Sequence, residues 1–319
     1  MTNETISARV QRMEWAAEGI LEVEFRRPDG GDLPAFTPGA HIDLHLPNGL
    51  LRNYSLLNDS RDRHRYVVAV GLDAASRGGS RFIHGDLRVG QIMPISAPRN
   101  HFPLVEDAPH VVLIAGGIGI TPLACMARRL AALGRPYEIH VAARNPERAA
   151  FVSDLRALSG KVLPHFDSEH NGAPLDIAAI VAKAPAGVHF YCCGPGPMLA
   201  AFEAATAGLP EGLAHVEYFK AKEQPASTVA PGSFKLTLAK RGETIEVPAD
   251  KTILEALLDH GIEADYSCQD GVCGTCEVKV VSGVPDHRDS LLSKSERESN
   301  KTMMICVSRC LGDHLTLDL

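Results

Sequence analysis

The amino-acid sequence predicts a multidomain protein with an antiparallel β-barrel, an α/β domain built on a parallel sheet, and a small α+β domain. Short strands of alternating polarity and frequent turn residues occupy residues 1–105. Residues 106–222 change to continuous apolar strands that are followed by glycine-containing loops and helices. Residues 223–234 are rich in Ala, Pro and Ser, which predicts a linker. Residues 235–319 contain five cysteines, four of which form a motif with defined spacing.

Size, composition and charge restrict the class of protein. A chain of 319 residues that is 45% hydrophobic and 22% charged is an ordinary globular protein with room for two or three domains. No apolar run approaches the ~18 residues of a membrane span, and the first residues lack the apolar segment of a secretory signal. A net charge of −7 argues against nucleic-acid binding. We therefore expect a cytoplasmic protein that binds no membrane, and nothing in the sequence requires more than a monomer.

The barrel is predicted from alternation and turns. Apolar and polar residues alternate over Ile20–Phe25 and over residues 41–46 and 65–70, and Pro-Gly and Pro-Asn-Gly turns separate these strands. No long helical period occurs before residue 110. Short alternating strands of this kind are typical of an antiparallel barrel.

Two stretches of the barrel segment combine residue types that suit a phosphorylated, planar ligand. In the stretch RNYS, a strand places Arg52 and Tyr54 on one face and Ser55 on the other. The second stretch, SRGGS at residues 76–80, is a Gly-Gly turn followed by a hydroxyl, which can present N–H groups to phosphate. Each signal is weak alone, because a Gly-Gly-Ser sequence is more often only a turn.

The α/β segment begins with a strand, a glycine loop and a helix. The continuous apolar run at 110–115 is typical of a buried parallel strand, and the loop GGIGITP follows it at 116–122. Residues 123–133 are predicted to be helical, with Thr121 as the N-cap and Pro122 as the first helical residue. This order is a phosphate-binding arrangement for nucleotides, although the spacing differs from the dinucleotide fingerprint G-x-G-x-x-G.

Two further predicted strands of this segment also end in loops. YEIHVAA at 137–143 precedes an Arg-Asn-Pro sequence, and VHFYCC at 188–193 precedes a Gly-Pro-Gly-Pro loop and a predicted helix at 198–207. The carboxyl ends of parallel strands meet at one edge of a sheet, where the ligands of open α/β sheets bind. We therefore predict a nucleotide site at this edge, although each loop alone is ordinary turn chemistry.

The last segment contains the most specific motif. Cys268, Cys273 and Cys276 follow the pattern C-x4-C-x2-C, and Cys306 follows after 29 intervening residues. This is the thiolate spacing of a plant-type 2Fe–2S cluster, in which each iron takes two thiolates. A zinc site and a disulfide set are the other interpretations. They are weaker, because structural zinc usually takes paired short spacings and disulfides belong to oxidising compartments.

The residues around this motif predict a compact unit. KLTLAK at 235–240 and TIEVPA at 244–249 are predicted to pair as strands. Thr252 and Glu255 form a capping box for a helix that Gly261 ends. A further strand is predicted where the chain leaves the cysteine loop.

These motifs, taken in order, resemble the phthalate dioxygenase reductase family, which includes the reductase components of vanillate demethylases and similar Rieske oxygenases. The resemblance covers essentially the whole chain. The sequences that support it are RNYSL at 52–56, GGS at 78–80, GGIGITP at 116–122, YCCGP at 191–195, the cysteine set and PDHRD at 285–289. It implies an FMN-binding barrel, an NADH-binding α/β domain, and a C-terminal plant-type ferredoxin of the β-grasp fold.

The resemblance also assigns residues to ligands. Those that would contact the flavin are Arg52, Tyr54 and Ser55, and Phe219 would stack near it. Val70 is a further cofactor-binding residue. Those that would hold its phosphate are Gly78, Gly79 and Ser80. Thr121 would lie at the flavin–nicotinamide junction. Those that would line the nicotinamide nucleotide site are Gly117, Cys193, Gly194 and Pro195, and Arg144 is a further cofactor-binding residue. The implied catalytic residues are Ser55, Thr121 and Phe219, and the metal ligands are Cys268, Cys273, Cys276 and Cys306.

One position departs from the family pattern. NADH-dependent members often have an Asp after the Arg that ends the second strand, whereas this chain has Asn145. A carboxylate there would favour a ribose 2′-hydroxyl and repel a 2′-phosphate. Its absence, with Arg144 and Arg148 nearby, leaves NADPH open as the donor. We predict NADH.

The implied activity is that of an oxidoreductase. A hydride would pass from NADH to FMN, and single electrons would then pass through the cluster to a terminal Rieske oxygenase of an aromatic dioxygenase or O-demethylase system. FMN is needed because nicotinamide donates two electrons together, whereas the cluster accepts one. Two alternatives stay open: a reductase for another acceptor such as a diiron hydroxylase, and a non-enzymatic iron–sulfur electron carrier. Residues 235–319 hold 15 acidic and 10 basic residues, which suits a basic partner surface or merely a soluble exterior.

Overall fold

The computed structural model describes residues 5–222 and 232–319 and divides the chain into two compact units, Met1–Phe219 and Lys220–Leu319. In these described ranges, the first unit contains two large sheets, and the second contains a five-stranded sheet and a two-stranded sheet. No helix of the described residues is long and apolar enough to cross a membrane.

The first sheet of the described chain is antiparallel. Its elements are β1 (Thr5–Ala17), β2 (Ile20–Arg26), β3 (Ala40–His45), β4 (Leu51–Ser55), β5 (Tyr66–Gly71), α1 (Gly79–Gly85), β6 (Ile92–Ser96) and β7 (Arg99–Asn100). The strand order is β4-β3-β6-β1-β2-β5, and β7 pairs with β3. A bridge between Leu56 and Val68 joins the two ends of this order, so the sheet closes and the predicted barrel is confirmed.

Strand β5 is apolar on both faces because it separates two cores. Tyr66, Val68 and Val70 point into the core of the barrel. Val67 and Ala69 point the other way, into a core that the barrel shares with the second sheet. The barrel and the second sheet therefore pack against each other through buried apolar side chains.

The second sheet is parallel throughout. Its elements are β8 (Val111–Gly116), α2 (Ile120–Ala132), β9 (Tyr137–Ala143), α3 (Val152–Arg156), β10 (Lys161–Phe166), α4 (Ile177–Lys183), β11 (His189–Cys193), α5 (Gly196–Thr206) and β12 (Ala214–Glu217). The strand order is β10-β9-β8-β11-β12, which confirms the predicted parallel α/β sheet. The order reverses between β8 and β11, and such a reversal marks the ligand-binding edge of an open sheet.

Two local predictions differ from the structure. Thr121 is not the N-cap of α2, because a short 3-10 turn at Gly117–Gly119 leads directly into the helix and makes Gly119 the N-cap. The Gly-Gly-Ser sequence is not a simple turn. Gly78 adopts a φ of 102° and starts the seven-residue helix α1 at Gly79, a short helix that the sequence did not predict.

The second unit is built on a mixed sheet. Its elements are β13 (Phe234–Leu238), β14 (Glu243–Val247), α6 (Ile253–Asp259), β15 (Glu277–Ser282), β16 (Pro285–Asp286), α7 (Lys294–Ser299), β17 (Thr302–Met304), β18 (Arg309–Cys310) and β19 (His314–Leu317). The strand order is β14-β13-β19-β15-β17, with β13 parallel to β19, and β16 pairs separately with β18. The predicted α+β architecture is therefore confirmed.

The capping box of α6 forms as predicted. The Thr252 hydroxyl accepts the Glu255 N–H, and the Glu255 carboxylate accepts the Thr252 N–H. The helix buries four residues, including Ile253 and Leu257, in the apolar core of this unit. Residues 223–231 of the predicted linker lie outside the described residues, and its last residue, Phe234, begins β13.

Candidate functional site

The barrel brings its two predicted ligand-binding stretches together. Gly79 packs so closely on the Arg52 side chain that a Cβ at Gly79 would lie 2.8 Å from Arg52 Cγ. The Ser80 hydroxyl accepts the Asp73 N–H at 3.2 Å and donates to Ser76 Oγ at 3.0 Å. A guanidinium, a glycine backbone and a hydroxyl therefore share one corner of the barrel. The hydroxyl is already engaged by its own loop.

Tyr54, Ser55 and Val70 complete this corner. Tyr54 packs against the barrel core, to which Val70 belongs. Burial raises the pKa of Tyr54 to about 12, and the nearby Arg52 charge only partly opposes this, so the phenol keeps its proton and can donate. The Val70 carbonyl lies 2.8 Å from His84 Nε2, which ties α1 to β5. Ser55 is buried at the end of β4, whereas Tyr54 is only half-buried.

The barrel meets the parallel sheet at the end of β5. A Cβ at Gly71 would lie 3.5 Å from Ile118 Cβ, in the 3-10 turn that follows β8. Thr121 is buried, and its hydroxyl donates to the Ile118 carbonyl at 3.1 Å. The residue assigned to the flavin–nicotinamide junction thus supports the loop at which the two sheets touch.

The loops after β8 and β11 touch through glycines. A Cβ at Gly119 would lie 2.2 Å from the Cys193 carbonyl oxygen, and a Cβ at Gly194 would lie 3.2 Å from Gly116 Cα. Gly117 adopts a φ of 53°, in the left-handed region. Only glycine permits backbones to approach this closely. The contact lies where the strand order reverses, so the structure brings the predicted nucleotide-binding loops to one place.

Glu217, which lies beside Cys193 at this edge, was not predicted from the sequence. Cys193 is fully buried and pairs in register with Glu217 on β12. The residue Glu217 is half-buried as a whole, yet its Oε2 atom is shielded from solvent and has no hydrogen-bond partner among the described residues. Burial raises the pKa of Glu217 to about 8, and burial followed by the Glu217 charge raises the pKa of the Cys193 thiol. The only sequence signal is a carboxylate within a short apolar stretch.

Two of the assigned residues, Phe219 and Pro195, are exposed. Phe219, just after β12, leaves 38% of its surface exposed and is therefore available to a planar ligand. Pro195 is exposed at the start of α5, next to the half-buried Gly194.

The end of β9 lies beside Asp167, which directly follows β10. The Ser168 N–H donates to the Arg144 carbonyl at 2.9 Å, and β10 runs parallel to β9 with Phe166 opposite Ala143. Asp167 is thereby placed next to Arg144. Asn145 contributes a buried Oδ1 without a hydrogen-bond partner among the described residues.

The positive charge of the neighbouring Arg148 is paired with a carboxylate of the barrel, that of Glu18. The Arg148 Nη2 atom lies 2.5 Å from Glu18 Oε1, and the Glu18 N–H donates to the Glu147 carbonyl at 2.8 Å. An arginine that is already paired attracts an additional phosphate less strongly than a free one.

In the second unit, the four predicted cysteine ligands lie together. The Cys268 thiol hydrogen-bonds with those of Cys273 and Cys306, and Cys306 also contacts Cys276. All four thiols are buried. Three come from the loop between α6 and β15, and the fourth follows β17. Because β15 and β17 are neighbours in the sheet, the sheet brings the fourth cysteine to the other three.

Backbone N–H groups of the cysteine loop point at these sulfur atoms. Their positions depend on glycine, since Gly271 and Gly274 adopt φ values of 67° and 75°. The N–H groups of Asp270 and Val272 donate to the Cys268 sulfur. The Thr275 N–H donates to Cys273, and the Gly271 N–H donates to Cys306. Such donors stabilise negative charge on cluster sulfurs, so this loop fits an iron–sulfur cluster.

The thiols are close enough to compete for protons. The hydrogen bond that the Cys273 thiol donates to Cys268, followed by burial, raises the pKa of Cys273, so a bound cation would favour its thiolate form. Within residues 5–222 and 232–319, no group of three or more His, Cys, Asp or Glu side chains has the arrangement of a single metal-ion site. A 2Fe–2S cluster is a different arrangement, because each iron takes only two thiolates and sulfides complete its shell.

Known proteins resemble both the C-terminal unit and the whole chain. A family model described as a 2Fe-2S iron-sulfur cluster binding domain matches residues 236–311. A phenoxybenzoate dioxygenase subunit beta from Ectopseudomonas oleovorans is 50% identical over 315 residues, which are 98% of this chain and 97% of the relative.

Solved structures extend the likeness to the fold. A phthalate dioxygenase reductase, described as a modular structure for electron transfer from pyridine nucleotides to a 2Fe–2S centre, is 37% identical. The TM-score is 0.72, and the match covers 99% of this chain and 98% of that one. An intact type IV self-sufficient cytochrome P450 monooxygenase is 40% identical with a TM-score of 0.90, and this chain spans 41% of its length.

Proposed function

Because the chain belongs to the phthalate dioxygenase reductase family, we propose that it is the NADH-dependent reductase component of a Rieske oxygenase system. The resemblance predicted from the sequence motifs is confirmed, and the chain is an oxidoreductase with a 2Fe–2S domain. We further propose that the flavin is FMN, that the electron donor is NADH and that the acceptor is a Rieske oxygenase.

The barrel corner would hold the flavin. Arg52 would neutralise a phosphate beside the Gly79 backbone, and the protonated Tyr54 phenol would donate to the ligand. Ser80 would bind phosphate by exchanging its hydrogen bond to Ser76. A bound flavin accepts a hydride and releases electrons singly, which no side chain of this chain can do.

The edge of the parallel sheet would hold the nicotinamide nucleotide. Gly117, where an added Cβ would meet no atom within 4 Å, would let a pyrophosphate approach the backbone. Asp167 would accept from the ribose 2′-hydroxyl and repel a 2′-phosphate, and the pairing of Arg148 with Glu18 weakens the attraction of Arg148 for that phosphate. These two observations support NADH over NADPH, although Asn145 departs from the family pattern.

One observation supports the reductase function best. The end of β5, which belongs to the barrel, touches the glycine loop of the parallel sheet where Gly71 meets Ile118. Hydride transfer requires the donor and acceptor rings to be held in contact. A flavin in the barrel corner and a nicotinamide at the sheet edge would meet beside this contact. The buried Thr121 and the protonated Glu217 would border it.

The four cysteines would hold the cluster, and the acceptor would take electrons from it. Several relatives are named as reductase subunits of oxygenase systems, which supports an oxygenase acceptor. A haem monooxygenase is the second candidate, favoured by the match to a self-sufficient cytochrome P450. Action as a cytoplasmic monomer stays a prediction.

An anaerobic titration of the purified protein tests the proposal. Overlapping flavin and iron–sulfur absorption bands that bleach with a small excess of NADH are expected, and the flavin released on denaturation should be FMN. Bleaching only with NADPH would overturn the donor assignment. Cluster bands without flavin, in protein that added FMN does not make reducible, would leave a bare electron carrier and refute the reductase.

A further inference from the structure

The PDHRD sequence at 285–289 ends in a buried carboxylate to which the proposed function assigns no role. Asp289 is fully buried. Its Oδ1 atom accepts the N–H groups of Leu291 and Leu292 at 3.0 and 2.7 Å, so the carboxylate folds residues 289–292 into a compact turn. We name this segment the Asp289 turn.

Helix α7 holds the Asp289 turn from outside. Arg297 donates through Nε to the Leu292 carbonyl at 3.1 Å and through Nη2 to the Asp289 carbonyl. The Arg297 guanidinium also lies 3.7 Å from Asp289 Oδ1, and His287 Nδ1 lies 3.9 Å from Oδ2. A planar guanidinium that binds both ends of the turn fixes its conformation.

The turn packs directly on the cysteine loop at Gly271. A Cβ at Gly271 would lie 3.0 Å from Asp289 Cα and 2.7 Å from Val307 Cγ2, so the two backbones are in contact. The Ser290 N–H donates to the Gly271 carbonyl at 2.9 Å. The N–H of the same glycine donates to Cys306. The Asp289 turn therefore holds the carbonyl of Gly271, while the N–H of Gly271 donates to the proposed cluster ligand Cys306.

We propose that Asp289 is a positioning residue for the 2Fe–2S cluster, which acts by holding the Gly271 N–H against the Cys306 sulfur. Hydrogen bonds to cluster sulfurs stabilise the more negative, reduced cluster and so raise its reduction potential. Loss of the turn would release this donor and make the cluster harder to reduce. The inference rests on the proposed ligation of the cluster by the four cysteines.

The test compares two variants that have the same charge. Asp289→Asn and Asp289→Ala both remove the negative charge, but only the asparagine keeps an oxygen acceptor for the Leu291 and Leu292 N–H groups. We expect the ratio of reduced to oxidised cluster, at a fixed applied potential, to be about fivefold lower in Asp289→Ala than in Asp289→Asn, as for one hydrogen bond. The measurement is an anaerobic redox titration of the full-length holoprotein, followed by the spectrum of the reduced cluster.

A second variant covers the case in which Asp289→Ala does not assemble a cluster. Arg297→Lys keeps the positive charge but cannot bind both carbonyls of the turn, so it should lower the same ratio in an assembled cluster. Equal ratios of reduced to oxidised cluster in Asp289→Ala and Asp289→Asn would overturn the proposal. If Asp289→Ala does not assemble a cluster, an unchanged ratio in Arg297→Lys would overturn it. A wild-type protein without iron–sulfur absorption would instead refute the ligation by the cysteines.

Discussion

The buried carboxyl of Glu217 makes the stability of the first unit depend on pH in an unusual direction. Burial raises its pKa from the ordinary value of 4.5 to about 8. Between these values the unfolded chain releases this proton and the folded chain keeps it, so the fold loses stability as pH rises towards 8. At about 1.4 kcal/mol per pH unit the upper limit of the loss is about 5 kcal/mol.

The substitution Glu217→Gln removes the titration and keeps the shape of the side chain. We expect the variant to match the wild type at about pH 5 and to exceed it by about 2 kcal/mol or more at about pH 8.5. For a unit of this size, 2 kcal/mol corresponds to a shift of about 4–8 °C in the unfolding midpoint. Thermal unfolding followed by circular dichroism at the two pH values measures the difference.

A matched substitution separates burial from the mere loss of a carboxylate. Glu211 is exposed in the same unit, so Glu211→Gln should leave the difference from wild type the same at both pH values. The reasoning fails if Glu217→Gln behaves in the same way, with a constant difference from wild type at both pH values. That result would mean that the Glu217 carboxyl titrates near its ordinary value in the folded protein.

Three further substitutions test the proposed sites. A methyl group at Gly119 would meet the backbone after β11, so Gly119→Ala should lower kcat/KM for NADH by about 100-fold, the cost of a ~1 Å misplacement. Gly208→Ala, whose methyl group meets nothing and which lies outside the nucleotide-binding loops, should leave kcat/KM unchanged. Cys276→Ser should abolish the cluster absorption and the reduction of cytochrome c, while the flavin still reduces ferricyanide with NADH. The control Cys310→Ser should retain both activities. Loss of the cluster in Cys310→Ser would contradict the ligand assignment. Asp167→Asn should raise kcat/KM for NADPH relative to NADH by about tenfold, as for one charge contact of ~1.4 kcal/mol, and an unchanged ratio in steady-state kinetics would exclude Asp167 as the donor selector.

Patterns that act within a few residues were predicted correctly from the sequence. The capping box of Thr252 and Glu255 satisfies two helix-end N–H groups by itself, so it needs no tertiary partner. The alternation in residues 41–46 specifies a strand because successive side chains must face opposite sides of a sheet. The cysteine spacing is specific for the same reason, because three thiolates of one short loop must reach a single cluster.

Thr121 shows where such local rules fail. Threonine before proline is a good N-cap by propensity, but the chain begins to coil earlier, in the 3-10 turn at Gly117–Gly119. That turn is favourable because the glycines pack on the backbone after β11, a contact between segments far apart in sequence. The Thr121 hydroxyl consequently binds the Ile118 carbonyl instead of capping the helix.

The sequence by itself determined the order of the elements, the glycine loops and the cysteine set, since each depends on neighbours along the chain. Only the tertiary structure decided that Gly79 lies on Arg52, that Asp167 lies beside Arg144, and that Glu217 is buried next to Cys193. These contacts depend on strand order and register, which are set by the packing of whole sheets. The carboxylates at 167, 217 and 289 have no unusual neighbours in sequence, and burial or proximity alone gives them their chemistry.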